Sequence, residues 1–290
     1  MLRWIGLLTM LIDHIAIYFV DHLSPFTYEL MRSVGRLAMP IFSYYLVIGV
    51  QRSRNLYLYF IRLVSCAAVA QFSVWHCHQL IGKDYSTQPF NFVFNLALGI
   101  ISLTGLELVL KSFPDILMRA QPVEGTDSNP QNLPINYRTN VLGLRLKPGL
   151  GILTGIFLIS LVLSCCIFFD ISYGIYGQAL LFIFYFAERR KSPREKIRFA
   201  FFAFALSSLA YSALSHFFPE LFTRYSNIQA YALLAIPLIY LLPERPRKKP
   251  KICAKQLKRL AFYLFYPLHF YFIIFLRLYI FRLGKFFTYY

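Results

Sequence analysis

Residues 4–20 read WIGLLTMLIDHIAIYFV. At about 1.5 Å per residue this apolar run is a segment built to cross a bilayer, closing a helix whose backbone groups satisfy one another. Asp13 and His14 stand in its middle, and Arg3 lies just before it. Ionisable groups at the centre of a spanning helix cost a few kcal/mol or more, so they mark a pathway or a reactive centre. The spacing places Arg3 roughly 16 Å below His14, a cation at the membrane surface under an imidazole at mid-membrane. A packed, neutral histidine is the plain alternative.

The rest of the chain repeats the pattern. Its 290 residues are 58% hydrophobic and 18% aromatic, against about 45–50% apolar residues in soluble domains. Further apolar segments are expected at Tyr28–Val50, Leu56–Trp75, Phe90–Leu110, Gly149–Phe169, Ser172–Ala187, Phe199–Phe217, Ile228–Leu242 and Leu260–Ile280. The expectation is an all-α polytopic transmembrane bundle of about nine spanning helices, forming a single domain over residues 1–290. Residues 112–148, rich in Pro and Asn, read as a flexible loop. The first segment holds Asp13-His14 and lacks a small-residue cleavage site, so it does not read as a cleavable signal peptide.

A net charge of +17 invites a nucleic-acid reading. The cations instead gather in alternate gaps between apolar segments, around Arg52 and Arg54, Lys111 to Lys147, Arg189 to Arg198 and Arg245 to Arg259. That is the distribution of cytoplasmic loops, so nucleic acid is not expected as a partner and the N-terminus is placed in the cytoplasm. Arg277, Arg282 and Lys285 on the outer tail run against this rule. The five cysteines show no metal or disulfide spacing, and no metal site is expected; His76-Cys77-His78 reads as a loop fragment.

Several polar groups share the depth of His14, roughly 14–15 Å from the cytoplasmic side. His269 reaches it in the last segment, and Arg36 and Asn95 reach its outer part. Together they could surround a polar cavity. Each has a structural alternative. Asn91 and Asn95, four apart, could serve interhelical hydrogen bonds. Arg36 could be the ion partner that makes Asp13 tolerable. His269 follows Tyr266-Pro267 and could satisfy the carbonyl that the proline frees. Asp13 and His14, being adjacent on a helix, do not face each other. Tyr173-Gly174 and Gly177 read as close helix packing.

Arg3, Arg52, Arg54 and Arg62 fall near the inner face. They satisfy topology alone, or they form a cluster matching the phosphates of an acyl-CoA. No Gly-rich phosphate loop is present. A transporter or a membrane assembly factor competes with an enzyme. No internal repeat is visible, and Pro40, Pro237 and Pro267 are not symmetrically placed, which speaks against transport.

These residues carry a resemblance. Leu2-Arg3-Trp4-Ile5 through Asp13-His14-Ile15 resembles the first helix of the TraX family, integral membrane proteins named for a conjugal-pilin N-acetyltransferase. Val34-Gly35-Arg36-Leu37-Ala38-Met39-Pro40 is similar to its second signature. Arg52-Ser53-Arg54-Asn55 with Tyr59 and Arg62, Asn91 to Gly99, Tyr173 to Gly177 and Tyr266-Pro267-Leu268-His269 resemble the others. The Arg3-x10-His14 spacing is also similar to membrane acyltransferases that modify cell-surface sugars. The chain differs from the family pattern in the 112–148 segment and in Asp170-Ile171-Ser172 before Tyr173.

The resemblance implies acetyl-CoA as co-substrate, with its phosphates on Arg3, Arg52, Arg54 and Arg62, and a bacterial inner-membrane location. It implies His14 as general base, with Arg36 or Asn95 stabilising the oxyanion. Asp13 would hold Arg36, and His269 would orient the acceptor or relay its proton. The acceptor would be the outward N-terminal amine of a pilin-like peptide, or an envelope glycan hydroxyl.

Overall fold

The computed structural model describes residues 1–82, 89–120, 139–141, 144–218, 227–242 and 252–287. They form an all-α bundle. The helices are α1 (Leu2–Tyr18), α2 (Pro25–Gly35), α3 (Ala38–Arg52), α4 (Leu56–Leu80), α5 (Phe92–Ala120), α6 (Pro148–Phe168), α7 (Gly174–Glu188), α8 (Pro193–Phe217), α9 (Ala235–Leu241) and α10 (Ile252–Phe287). A 3-10 helix, Asn227–Leu234, leads into α9.

Among the described residues six stretches are long and apolar enough to cross a membrane: Pro25–Arg52, Leu56–Leu80, Phe92–Phe113, Pro148–Phe168, Pro193–Phe217 and Tyr263–Ile280. The expectation of nine is therefore corrected to six of membrane length. α1 has 17 residues and α7 has 15, and Gln229–Leu241 is shorter still. The apolar segment at 28–50 is not one rod. Pro40 has no N–H to offer the carbonyl four residues back, which is that of Arg36, and its ring crowds that carbonyl. The helix ends at Gly35 and restarts at Ala38, leaving Arg36 and Leu37 in the break.

The expected loop at 112–148 is also shorter than the sequence suggests. α5 continues to Ala120, and Thr139–Val141 (β1) pairs antiparallel with Leu144–Leu146 (β2). The middle of that expected loop, residues 121–138, lies outside the described residues. The cationic gap from Arg245 to Lys251 does too.

α5 is the central staff: 61% of its apolar window is buried, against 17% for α8 and 22% for α6. Gly105 and Gly155 place backbone against backbone where α5 meets α6, so a Cβ on either would strike the other's carbonyl. Leu103, Ile41, Val47, Leu180, Leu181, Phe184, Phe204 and Ile236 close the core between α3, α5, α7, α8 and α9. Outward, Leu153, Phe157, Phe202, Leu206 and Phe275 are exposed, an apolar belt that only a bilayer can cover. The chain is an integral membrane protein.

α10 lies beside α1 and runs the same way. Arg277 donates to the carbonyl of Tyr18 at the end of α1 and sits 3.5 Å from Asp21. A cation on the last turns of α10 is thus held by the carbonyls and acid at the end of its neighbour. This accounts for one of the tail charges that run against the sequence rule.

Candidate functional site

Neighbouring positions on a helix diverge by about 100°, and α1 uses that divergence. Asp13 turns to α2, where its Oδ2 accepts from Arg32 Nη1 at 2.7 Å. His14 turns to α10, where its Nδ1 is 3.0 Å from His269 Nε2. Gly35 makes the first contact possible: a Cβ there would occupy the space of the Asp13 carboxyl. The Asp13–His14 pair is therefore not a dyad, as the spacing indicates. The expected Asp13–Arg36 pair is corrected. Arg32, a turn earlier on α2, reaches the carboxylate, whereas the helix break turns Arg36 toward Tyr173, to whose hydroxyl its Nη1 donates at 2.8 Å.

The imidazole pair has a direction. His269 Nδ1 is 3.3 Å from the carbonyl of Phe265, and a carbonyl can only accept. In a neutral pair His269 therefore carries its proton on Nδ1 and offers a lone pair at Nε2. His14 must then donate from Nδ1, which leaves the lone pair on His14 Nε2 available. This assignment rests on the hydrogen-bond network. His269 is 3% exposed, stacked against Phe265 and touching Phe270, so its orientation is fixed by packing.

The expectation that Pro267 frees a carbonyl for His269 is corrected. The freed carbonyl is that of Tyr263, four residues back, and it is Cys66 of α4 whose thiol points at it, 3.6 Å away. His269 bonds the Phe265 carbonyl instead.

A cavity of about 660 Å³ opens beside the pair. Asp13, His14, Arg32, Arg36 and Tyr173 line it, together with Tyr18, His78, Asn91, Asp170, Gln229, Tyr266 and Phe270. Buried polar atoms of the lining residues without a partner among the described residues include Asp13 Oδ1, Arg36 Nε and Gln229 Nε2. His14 lies within electrostatic reach of both Arg32 and Arg36. One chamber is therefore lined by an imidazole, two guanidinium groups and a carboxylate. An imidazole there can take a proton, and the neighbouring positive charge favours a developing anion.

Asn95 does not join them. It is fully buried and outside the lining; its Nδ2 donates to the carbonyls of Ser172, 3.2 Å, and Gly174, 2.9 Å, while its Oδ1 accepts from Gln178 Nε2 at 2.9 Å. Gly177 leaves the room for it. The expectation of an oxyanion donor at Asn95 is corrected: both its N–H groups are committed to backbone, and its work is to clamp residues 172–174. Asn91 bonds the Ala67 carbonyl and Gln71, which is the interhelical role.

The clamped segment is unusual backbone. Asp170 and Tyr173 have φ of 44° and 65°, a region that costs non-glycine residues about 1–3 kcal/mol. Besides Asn95, a short parallel bridge holds it, with Phe90 N–H on the Asp170 carbonyl and Ser172 N–H on the Phe90 carbonyl. In the sequence Tyr173 reads as packing; its positive φ beside a glycine leaves no signal in a single chain of letters.

The four arginines expected to hold phosphates sit apart from the cavity. Arg3, Arg52, Arg54 and Arg62 are exposed at the end of the bundle where α1 begins and α3 meets α4. Arg3 stacks on Tyr45, 4.5 Å from its ring centre, and both Arg3 and Arg62 neighbour Tyr59. None of the four lines the cavity, whose floor toward that end is Met10, Phe42 and Tyr266. His76-Cys77-His78, expected in a loop, lies on the last turns of α4; His76 pairs with Tyr271 at 3.2 Å and His78 faces the cavity.

The family model described as TraX protein matches residues 1–116 and 145–277. The probable fimbrial assembly protein FimC, serogroup H1, of Dichelobacter nodosus is 36% identical over 107 residues. That match spans 35% of this chain and 43% of the relative, so it covers less than half the length of either. No solved structure matches.

Proposed function

Since the chain belongs to the TraX family, acyltransferase-like membrane proteins, we propose that it transfers an acetyl group from cytosolic acetyl-CoA to an acceptor entering from the other side of the membrane. The observation that carries the reading is the His14–His269 pair, of which His14 lines a chamber shared with Arg36 and Asp13.

His14 Nε2 takes the proton of an acceptor amine or hydroxyl as that group attacks the thioester carbonyl. His269 fixes the His14 ring and its tautomer, as the third member of a catalytic triad does. Arg36 stabilises the oxyanion by its charge. Asp13, paired with Arg32, keeps that end of the chamber polar. The N-terminus is cytoplasmic by the distribution of cations, so the donor approaches from the rim of Arg3, Arg52, Arg54 and Arg62. Between rim and chamber stand Tyr59, Tyr263, Cys66 and Tyr266, beside Pro267, where the continuous α10 lacks one backbone N–H.

The acceptor favoured by the family is the N-terminal amine of a pilin-like peptide at the bacterial inner membrane; an envelope glycan hydroxyl fits the same chemistry. A second reading, a non-enzymatic assembly factor, is favoured by the name of the fimbrial relative. Binding of acetyl-CoA separates the two. Raised thermal stability of the detergent-solubilised protein with acetyl-CoA, and acetylated envelope material missing from cells without the protein, support the enzyme. No stabilisation and an unchanged envelope would favour the assembly factor.

A further inference from the structure

The chemistry assigned to His14, His269, Arg36 and Asp13 leaves the strained segment 170–174 without a use. Tyr173 holds a positive φ, clamped by Asn95 and the Phe90 bridge, and its side chain ends in the chamber. Its hydroxyl oxygen accepts from Arg36 Nη1 at 2.8 Å, and its own proton has no acceptor among the described residues. Backbone strain held in place by independent bonds, at a residue that faces a reactive cavity, points to a functional demand on that side chain.

Resting on the acyl-transfer reading, we propose that Tyr173 is a second catalytic residue, whose O–H donates to the oxyanion while Arg36 Nη1 holds its oxygen. A cation bonded to the phenol oxygen polarises the O–H and fixes its direction. The acceptor's nucleophile forms a bond to the thioester carbon while its proton passes to His14 Nε2. The carbonyl π pair moves onto oxygen, where the Tyr173 O–H meets it. Collapse of the tetrahedral adduct restores the C=O and breaks the C–S bond. The CoA thiolate leaves and takes the proton back from His14.

The test uses Tyr173→Phe, which keeps the ring and removes the donor, in membranes containing the full chain. The probe is the trifluoromethyl-ketone analogue of acetyl-CoA, which hydrates to a tetrahedral form resembling the adduct. We expect kcat to fall about 10²–10³-fold, as for loss of one oxyanion donor. KM for acetyl-CoA should stay within twofold, and affinity for the ketone analogue should fall about as far as kcat. Unchanged kcat, or equal weakening of acetyl-CoA and the analogue, overturns the assignment, because a merely structural tyrosine would act on both ligands alike. His14→Ala in the same membranes separates the levels. Wild-type transfer by His14→Ala strikes the acyl-transfer reading itself, whereas an inactive His14→Ala beside a fully active Tyr173→Phe removes Tyr173 alone.

Discussion

His14 and His269, 255 positions apart in the chain, meet at 3.0 Å through Nδ1 and Nε2, and the Phe265 carbonyl decides which of them donates. The pair depends on α1 and α10 lying side by side and parallel. It therefore joins the two ends of the sequence into one chemical unit.

If His269 acts by orienting His14, its loss is a positional fault. His269→Ala should lower acetyl transfer by about 10²-fold, the scale of a misplacement near 1 Å. His14→Ala should cost about 10²–10⁴-fold. The double variant should be no worse than His14→Ala. Kinetics in proteoliposomes check this, and additive losses would mean the rings work separately.

Asp13 and Arg32 are exposed by only 14% and 17% in their side chains. Removing one partner leaves a buried charge, so Arg32→Ala should destabilise the protein by about 3–5 kcal/mol. Asp13→Ala with Arg32→Ala should recover part of that loss. Unfolding in detergent by a denaturant series measures both, and an Arg32→Ala protein as stable as wild type would contradict the pairing.

Gly35 provides space for a carboxyl group. Gly35→Ala should push Asp13 off Arg32 at a cost of about 1–3 kcal/mol for overpacking. Gly149, where an added Cβ would meet nothing within 4 Å, serves as the control: Gly149→Ala should leave stability within about 0.5 kcal/mol of wild type. Equal stability of the two variants would count against the close approach.

Asn95→Ala should behave as a structural lesion. The backbone carbonyls of Ser172 and Gly174 lose a donor, each worth about 1–3 kcal/mol when left buried and unsatisfied, while Gln178 Nε2 keeps the Asn95 backbone carbonyl. The melting temperature in detergent should fall with the substitution. A protein that melts as wild type but has lost turnover would return Asn95 to the oxyanion role the structure denies it.

Much of this arrangement is legible in the sequence for a definite reason. Ionisable residues inside apolar segments are rare enough to stand out, so Asp13, His14, Arg36 and His269 can be gathered by depth along ideal helices. Depth carries no azimuth. It cannot tell whether Arg32 or Arg36 reaches Asp13, because that turns on the break Pro40 makes at Arg36. Nor can it tell that Asn95 faces the carbonyls of a neighbouring loop rather than the chamber. Helix count fails on length: α1, α7 and the segment ending in α9 are largely apolar yet shorter than the six stretches of membrane length. Tyr173 is visible as a letter beside a glycine; its conformation is a product of tertiary clamps.

The central claim is that the imidazole pair moves an acetyl group from one face of the membrane to an acceptor on the other. Sealed vesicles carrying the protein, given labelled acetyl-CoA on the face bearing Arg3 and acceptor material on the opposite face, measure it directly. The account predicts covalent label on the far side with the wild-type protein and a loss of at least about 10²-fold with His14→Ala. Undiminished labelling by a folded His14→Ala protein, or label that never leaves the donor face, would contradict it.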